Sequence, residues 1–412
     1  MRSRYLPSVF VLTITLVFAN LAEAKAKETV IHRFNYTDGA TPAFDLISDE
    51  QGNLYGTTLA GGEKDSGCSE SGCGTVFELS PSAGGGWTYS LLYSFKGGTD
   101  SANPYGRLTL DKKGNLYGVA ATDGPNGAGT VFKFTRGSDG TWTESILHAF
   151  PSYGEDGYFP AGDLAFDAKG NLYGSTLEGA NNAANGTVYQ LSPQKDGTWN
   201  ETVIYYFDHS DDGSECGGVV LDKHGNIYGE TSIGNGAGSG GTAFEISPAA
   251  GGWSEKVLSN FSQAGDPATL SSPLTLDSSG DLYGSSLIGG KEDSGTIYRL
   301  KKVSGGQWQL SIVHSFSDNL NRAIGPPRRV VFDSEGNIVG TSWGGLYGAG
   351  SVWELSPQSG GGWSGKVLYS FENGSDGSQP AGVVIGKDGN LYGPTEAGGG
   401  RYGYGTVFEV VP

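Results

Sequence analysis

The sequence predicts an all-β fold, a seven-bladed β-propeller of four-stranded blades, on three observations. Glycine is abundant, one five-residue motif recurs seven times, and each copy lies among four short β-like runs. Of 412 residues, 71 are Gly and one is Met, a composition poor in helix formers. Aromatics at 11% and hydrophobic residues at 36% are too frequent for a disordered glycine polymer. The motif reads GNLYG at 52, 114, 170 and 389, GNIYG at 225, GDLYG at 280 and GNIVG at 336, at intervals of 62, 56, 55, 55, 56 and 53 residues. A β-solenoid is the competing repeat architecture, but its coils are shorter and rarely carry tight hairpins.

The second unit shows the four runs in order, at residues 105–111, 115–120, 129–134 and 142–150, each rich in β-branched, aromatic or alternating apolar positions. The hairpin between the first two is chemically specified. Asp111-Lys-Lys-Gly114 places a capping carboxylate first and a glycine where φ must be positive. The same Asp recurs at Asp49, Asp167, Asp222, Asp277 and Asp333, and only the last unit, with Gly386, lacks it. A Gly-rich insert then leads to the third run, GTVFEL at 74 and its counterparts at 129, 186, 241, 295, 350 and 405. In six units a Trp stands eight residues before the Phe that ends the fourth run, as in Trp142 and Phe150.

The blades are expected at about 41–95, 103–150, 159–207, 215–261, 271–316, 326–371 and 380–411. The seventh unit stops after its third run, and residues 28–35 (ETVIHRFN), which match a fourth run, are expected to complete it and close the ring. Residues 1–24 read as a secretory signal: Arg2 and Arg4, an apolar run from Tyr5 to Phe18, and a small-residue cleavage site ending at Ala24. A single propeller of residues 25–412 is expected to follow, exported to the periplasm or the extracellular space, monomeric and without a membrane span. The formal net charge of −18 argues against nucleic acid as a partner. Cys68 and Cys73, five residues apart in one loop, form a candidate disulfide; Cys216 has no evident mate.

Through GNLYGTT, the following GG and GTVFEL, the units resemble the Gloeobacter/Verrucomicrobia (GloVer) repeat of exported bacterial proteins. The resemblance covers residues 28–412 and implies architecture and export. The strand layout, with Pro104-Tyr-Gly106 running on to Tyr117, is also similar to that of NHL and gluconolactonase-like propellers.

Chemistry is sparse. His32, His148 and His314 share one repeat position with Tyr93, Tyr205, Ser259 and Tyr369, which reads as a strand site, and His209 and His224 lack a partner. The GxGxxG match at 236–241 precedes a strand, not a helix. An Asp follows the fourth run of each unit: Asp38, Asp100, Asp156, Asp212, Asp266, Asp318 and Asp376. Turn capping is the first reading of these; a ring of carboxylates around one mouth, binding Ca²⁺ or a polyol, is the second. No other cofactor is called for. Cys216, Glu230, and Val339 with Trp343 are the clearest departures from the repeat. Two functions stay open: a binding or interaction scaffold for a protein or carbohydrate ligand, the preferred reading, and a lactonase-like hydrolase with a metal at the central channel.

Overall fold

The computed structural model describes residues 26–64, 67–152, 156–179, 185–208, 213–234, 240–261, 265–270, 273–316 and 328–412. Seven antiparallel sheets, each traced from the innermost to the outermost strand, make up the propeller. Blade three shows the pattern whole: Tyr158–Phe166, Leu172–Glu178, Thr187–Pro193 and Trp199–Tyr206. The expected closure is present. Lys27–Arg33 pairs antiparallel with Thr406–Val411 and forms the outer strand of blade seven. The one helical turn among the described residues is Ser304–Gly306. The proposed signal peptide, Asp212 and Asp318 lie outside the described residues.

Three repeated contacts explain why the motif is spelled as it is. The Asp–x–x–Gly hairpin is closed by its carboxylate: Asp111 accepts the amides of Lys113 and Asn115 at 2.8 and 3.0 Å, the Asn115 side-chain amide at 2.7 Å and the Tyr117 hydroxyl at 3.1 Å. Gly114 takes a φ of +79° with open space around it, so its role is conformational. In GDLYG, Asp281 replaces the Asn, and Arg299 opposite compensates with a charged bond from Nε at 2.9 Å.

The second contact fixes the last glycine of GNLYG. Gly118 pairs with Phe132 across the second and third strands, and a Cβ on it would meet that ring. The same holds for Gly56 under Phe77, Gly174 under Tyr189, Gly229 under Phe244, Gly284 under Tyr298, Gly340 under Trp353 and Gly393 under Phe408. Beside this pair lies a buried hydroxyl bridge, such as Thr58 to Thr75 at 2.8 Å and Thr231 to Thr242 at 2.8 Å. In blade two Ala120 stands where the first hydroxyl would be, and Ser101 supplies it to Thr130 at 2.8 Å.

The third contact joins the blades. Four fourth-strand Trp residues pack edge-on against the motif Tyr of the preceding blade: Trp142 on Tyr55, Trp199 on Tyr117, Trp253 on Tyr173 and Trp308 on Tyr228, at 5.8 to 6.3 Å between ring centroids. Trp87 on Tyr392 carries the contact across the seam at 5.2 Å. The closing strand has Ala26 in the Trp position, and blade six correspondingly has Val339 where the Tyr would be; both lie in one apolar cluster with Ile385. Val339 is therefore a packing adjustment.

One difference from expectation matters for the site. The first strand of blade two is interrupted, with Ala102–Pro104 and Thr109–Leu110 paired separately to the second strand. Between them, at Gly106 with φ +144°, the chain swings toward the neighbouring backbone at Gly162, and a residue with a Cβ would collide there.

Removing residues 26–36 should lower the melting temperature by about 10 °C or more, because it reopens a sheet edge and unpairs a whole strand. An unchanged melt in calorimetry would contradict this mode of closure.

Candidate functional site

The first strand is the innermost of each blade, and in five blades the residue just before a buried Leu or Val of this segment lines the channel cavity. That position reads Asp45, Arg107, Asp163, Pro273 and Arg329 in blades one, two, three, five and six. Blades four and seven are one residue shorter here, running Cys216-Gly-Gly-Val219 and Pro380-Ala-Gly-Val383, so they leave gaps in the ring. The backbone entering the segment is strained. Thr41, Asn103, Phe159, Glu215, Thr269 and Gln379 all have φ between +52° and +61°, a region that β-branched and bulky side chains rarely adopt.

The inward side chains form an alternating network of charge. Arg107 Nε stands 3.3 Å from Asp163 Oδ2, Arg329 Nη2 stands 2.6 Å from the same oxygen, and Arg329 Nε reaches Asp45 Oδ2 at 3.6 Å. Asp163 also accepts the Arg107 amide at 3.2 Å, and Asp45 packs directly against Gly382 in the gap of blade seven. Burial pushes the Asp45 carboxyl up to about 6, against the pull of Arg329 and Arg107. Burial and Arg107 likewise draw Arg329 down, opposed by Asp163 and Asp45. For both Asp45 and Arg329, desolvation therefore outweighs the attraction of the opposite charges.

A cavity of about 310 Å³ opens on this network. Its wall includes Glu230 from the second strand of blade four, which is 6% exposed and has no hydrogen-bond partner for either carboxylate oxygen among the described residues. Burial raises this carboxyl well above the ordinary carboxylate range, because desolvation penalises its charged form. Arg328, also in the wall, is held by Glu396 at 2.6 Å and lies 4.4 Å over the Trp343 ring. Phe44 and Tyr105 complete the rim with ring centroids 4.9 Å apart. Cys216 is buried behind this wall, its thiol pushed up to about 11 by desolvation, which leaves it without nucleophilic character at neutral pH.

The described aspartates that follow the fourth strands, Asp38, Asp100, Asp156, Asp266 and Asp376, are not among the residues lining this cavity, and three of them are engaged by their own turns. Asp38 accepts from Asn35 and lies 3.2 Å from His32 Nε2; Asp100 accepts from Tyr93 and the Lys96 amide; Asp376 accepts from Tyr369 and the amides of Glu372 and Gly374. Asp156 lies 3.6 Å from His148 Nε2. The position shared by His and Tyr is thus the partner of the Asp, a link the sequence reading did not make. The carbonyl of Asp266 lies against Gly289 in the same kind of loop. Among the described residues, no three His, Cys, Asp or Glu side chains gather in a metal-binding group. Cys68 and Cys73 are joined by a disulfide within the long loop of blade one.

Three of these aspartates adjoin a Glu from the next blade. Burial, followed by repulsion from Asp376, Asp100 and Asp156, raises Glu28, Glu144 and Glu201 to about 7. A carboxyl raised in the folded state contributes stability that is complete below its unfolded value and lost as pH rises through its folded value. Stability should therefore fall between about pH 5 and pH 8, and the triple variant Glu28→Gln, Glu144→Gln, Glu201→Gln should flatten that limb in denaturant titrations. An unaltered pH profile in the variant would contradict the assignment.

The profile of the Gloeobacter/Verrucomicrobia repeat matches residues 16–184, 66–284, 111–341 and 271–412. No curated protein matches the chain. Among solved structures, the fold is similar to that of a periplasmic gluconolactonase of Pseudomonas aeruginosa, with a TM-score of 0.53 at 15% identity over 83% of this chain and 92% of that one. It is also similar to a puromycin hydrolase, with a TM-score of 0.56 at 11% identity over 88% of this chain and 51% of the other. A third likeness, with a TM-score of 0.55 at 12% identity, is to the extracellular domain of a protein described as a hybrid two-component system of B. thetaiotaomicron, over 90% of this chain and 40% of that one. At these identities the likeness is one of fold alone. With its repeat profile matched along nearly its whole length, the chain belongs to the Gloeobacter/Verrucomicrobia repeat family.

Proposed function

We propose that the protein is an exported binding propeller whose ligand site is the cavity at the channel axis. One observation carries this reading: the units are nearly equivalent where they pack, and they diverge where they face the channel, as Asp45, Arg107, Asp163, Pro273 and Arg329. Equivalent positions serve the ring; unlike side chains in a partly enclosed polar cavity serve recognition. Export is supported by the signal-like pattern at residues 1–24 and by the Cys68–Cys73 disulfide, which suits an oxidising compartment.

The hydrolytic alternative rests on Glu230, an acid of raised pKa in the cavity wall. The other carboxylates of the wall are Asp163 and Asp45, both engaged by Arg329, and Glu215, which accepts from the Ser232 hydroxyl at 2.8 Å. Binding is therefore the stronger reading, and turnover of a sugar lactone by the wild type but not by Glu230→Gln would favour hydrolysis instead.

The test is a thermal-shift screen of the secreted protein against small molecules of mixed charge and polarity. At least one class should raise the melting temperature by a few degrees, and the shift should vanish in Arg107→Ala. A screen without any shift, or a shift that survives the substitution, would contradict the reading.

A further inference from the structure

Resting on the binding reading above, we propose that the channel cavity takes a neutral polyhydroxylated ligand of one or two sugar rings, held by Glu230 and stacked at the rim on Phe44 and Tyr105.

Size sets the first limit. At about 310 Å³ the cavity falls at the small end of ligand sites, too small for a folded partner or a wide polymer segment. Charge sets the second. Arg107, Arg328 and Arg329 share the wall with Asp45, Asp163, Glu215 and Glu230, and burial drives Glu230 toward its neutral form, so the wall carries little net charge although the whole chain carries −18. A charged ligand would add an uncompensated charge to a site that has already lost water, which is costly, whereas a neutral one keeps the balance.

The unmet hydrogen bonds identify the chemistry. Both oxygens of Glu230 and the Nε of Arg328 are buried and without hydrogen-bond partners among the described residues, and buried polar atoms are normally paired. A carboxyl that burial drives toward its neutral form offers one donor and one acceptor side by side. Two adjacent hydroxyls of a sugar match that pair, because each hydroxyl gives one hydrogen bond and accepts another. Gly284 keeps this acid in place: a Cβ there would run into both the Glu230 carboxylate and the Tyr298 hydroxyl.

The rim supplies the remaining element. Tyr105 is 39% exposed at the rim, and its ring meets Phe44 at 63°. Two rings at an angle present an apolar corner to the C–H face of a pyranose, while the polar edge of the sugar turns toward Glu230 and the arginines.

The experiment titrates the secreted protein with D-glucose, D-galactose and D-mannose, with gluconate and glucuronate, and with glycine, using saturation-transfer NMR and calorimetry. At least one neutral hexose should bind, and Glu230→Ala and Tyr105→Ala should each weaken it about tenfold or more. Tyr105 is largely outside the core, and Glu230→Leu removes the donor and the acceptor at similar volume, so these two keep the test valid if Glu230→Ala fails to fold. Preferential binding of gluconate, glucuronate or glycine, lost in Arg107→Ala, would overturn the neutral-ligand inference while leaving the binding reading intact. Binding of no probe, or hexose binding that Tyr105→Ala and Glu230→Leu leave unchanged, would also overturn it.

Discussion

The contact on which this structure depends is a glycine lying under an aromatic ring, repeated once per blade. Gly56 under Phe77 and its six counterparts fix the register of the second strand on the third, since a slip of one residue would put a Cβ into the ring. That contact explains why the motif ends in glycine and why the third strand begins GTVF. It also places the Thr or Ser pair beside it, with both hydroxyls buried and bonded, so each blade gains a polar clasp in a dry interior.

Blade packing follows the same economy. A Trp at the start of one outer strand covers the motif Tyr of the blade before it, and the Tyr hydroxyl reaches back to the hairpin Asp, as Tyr55 does to Asp49 at 3.0 Å. Hairpin, motif and neighbouring blade are thereby one linked unit. Where the chain ends meet, the Trp is absent, and Val339 in blade six replaces the Tyr it would have covered. The ring closes through backbone pairing at that seam, with a smaller side-chain contact.

Much of this was legible in the sequence because its cause is local. Turn chemistry, alternation and a motif counted seven times specify blades and hairpins, since each follows from residues close in sequence, and the closure was legible because residues 28–35 match the fourth run that the last unit lacks. The channel was not legible in the same way. Asp45, Arg107, Asp163 and Arg329 occupy one repeat position, yet Asp and Arg there look like ordinary surface residues, and the one-residue shortening in blades four and seven breaks the alignment that would reveal them. Glu230 and Trp343 stood out as departures, but their role needs the cavity: Glu230 forms its wall and Trp343 supports Arg328. The outer aspartates misled for the opposite reason. They recur so regularly that they suggest a ring, whereas the structure engages four of them with their own turns or with a His or Tyr six to eight residues earlier.

The division between a symmetric frame and an asymmetric channel has an energetic signature. Removing one partner of a buried charge cluster is strongly destabilising, while replacing the whole cluster by apolar groups of similar size is often neutral or favourable. If the channel charges serve recognition, the frame does not need them. The decisive measurement compares denaturant unfolding of Asp163→Leu alone with that of the fourfold variant Asp45→Leu, Arg107→Met, Asp163→Leu, Arg329→Met. The account predicts a loss of about 3 kcal/mol for the single change and recovery to wild-type stability or better in the fourfold variant. A fourfold variant less stable than the single one would show that the channel network holds the ring together and would contradict the account.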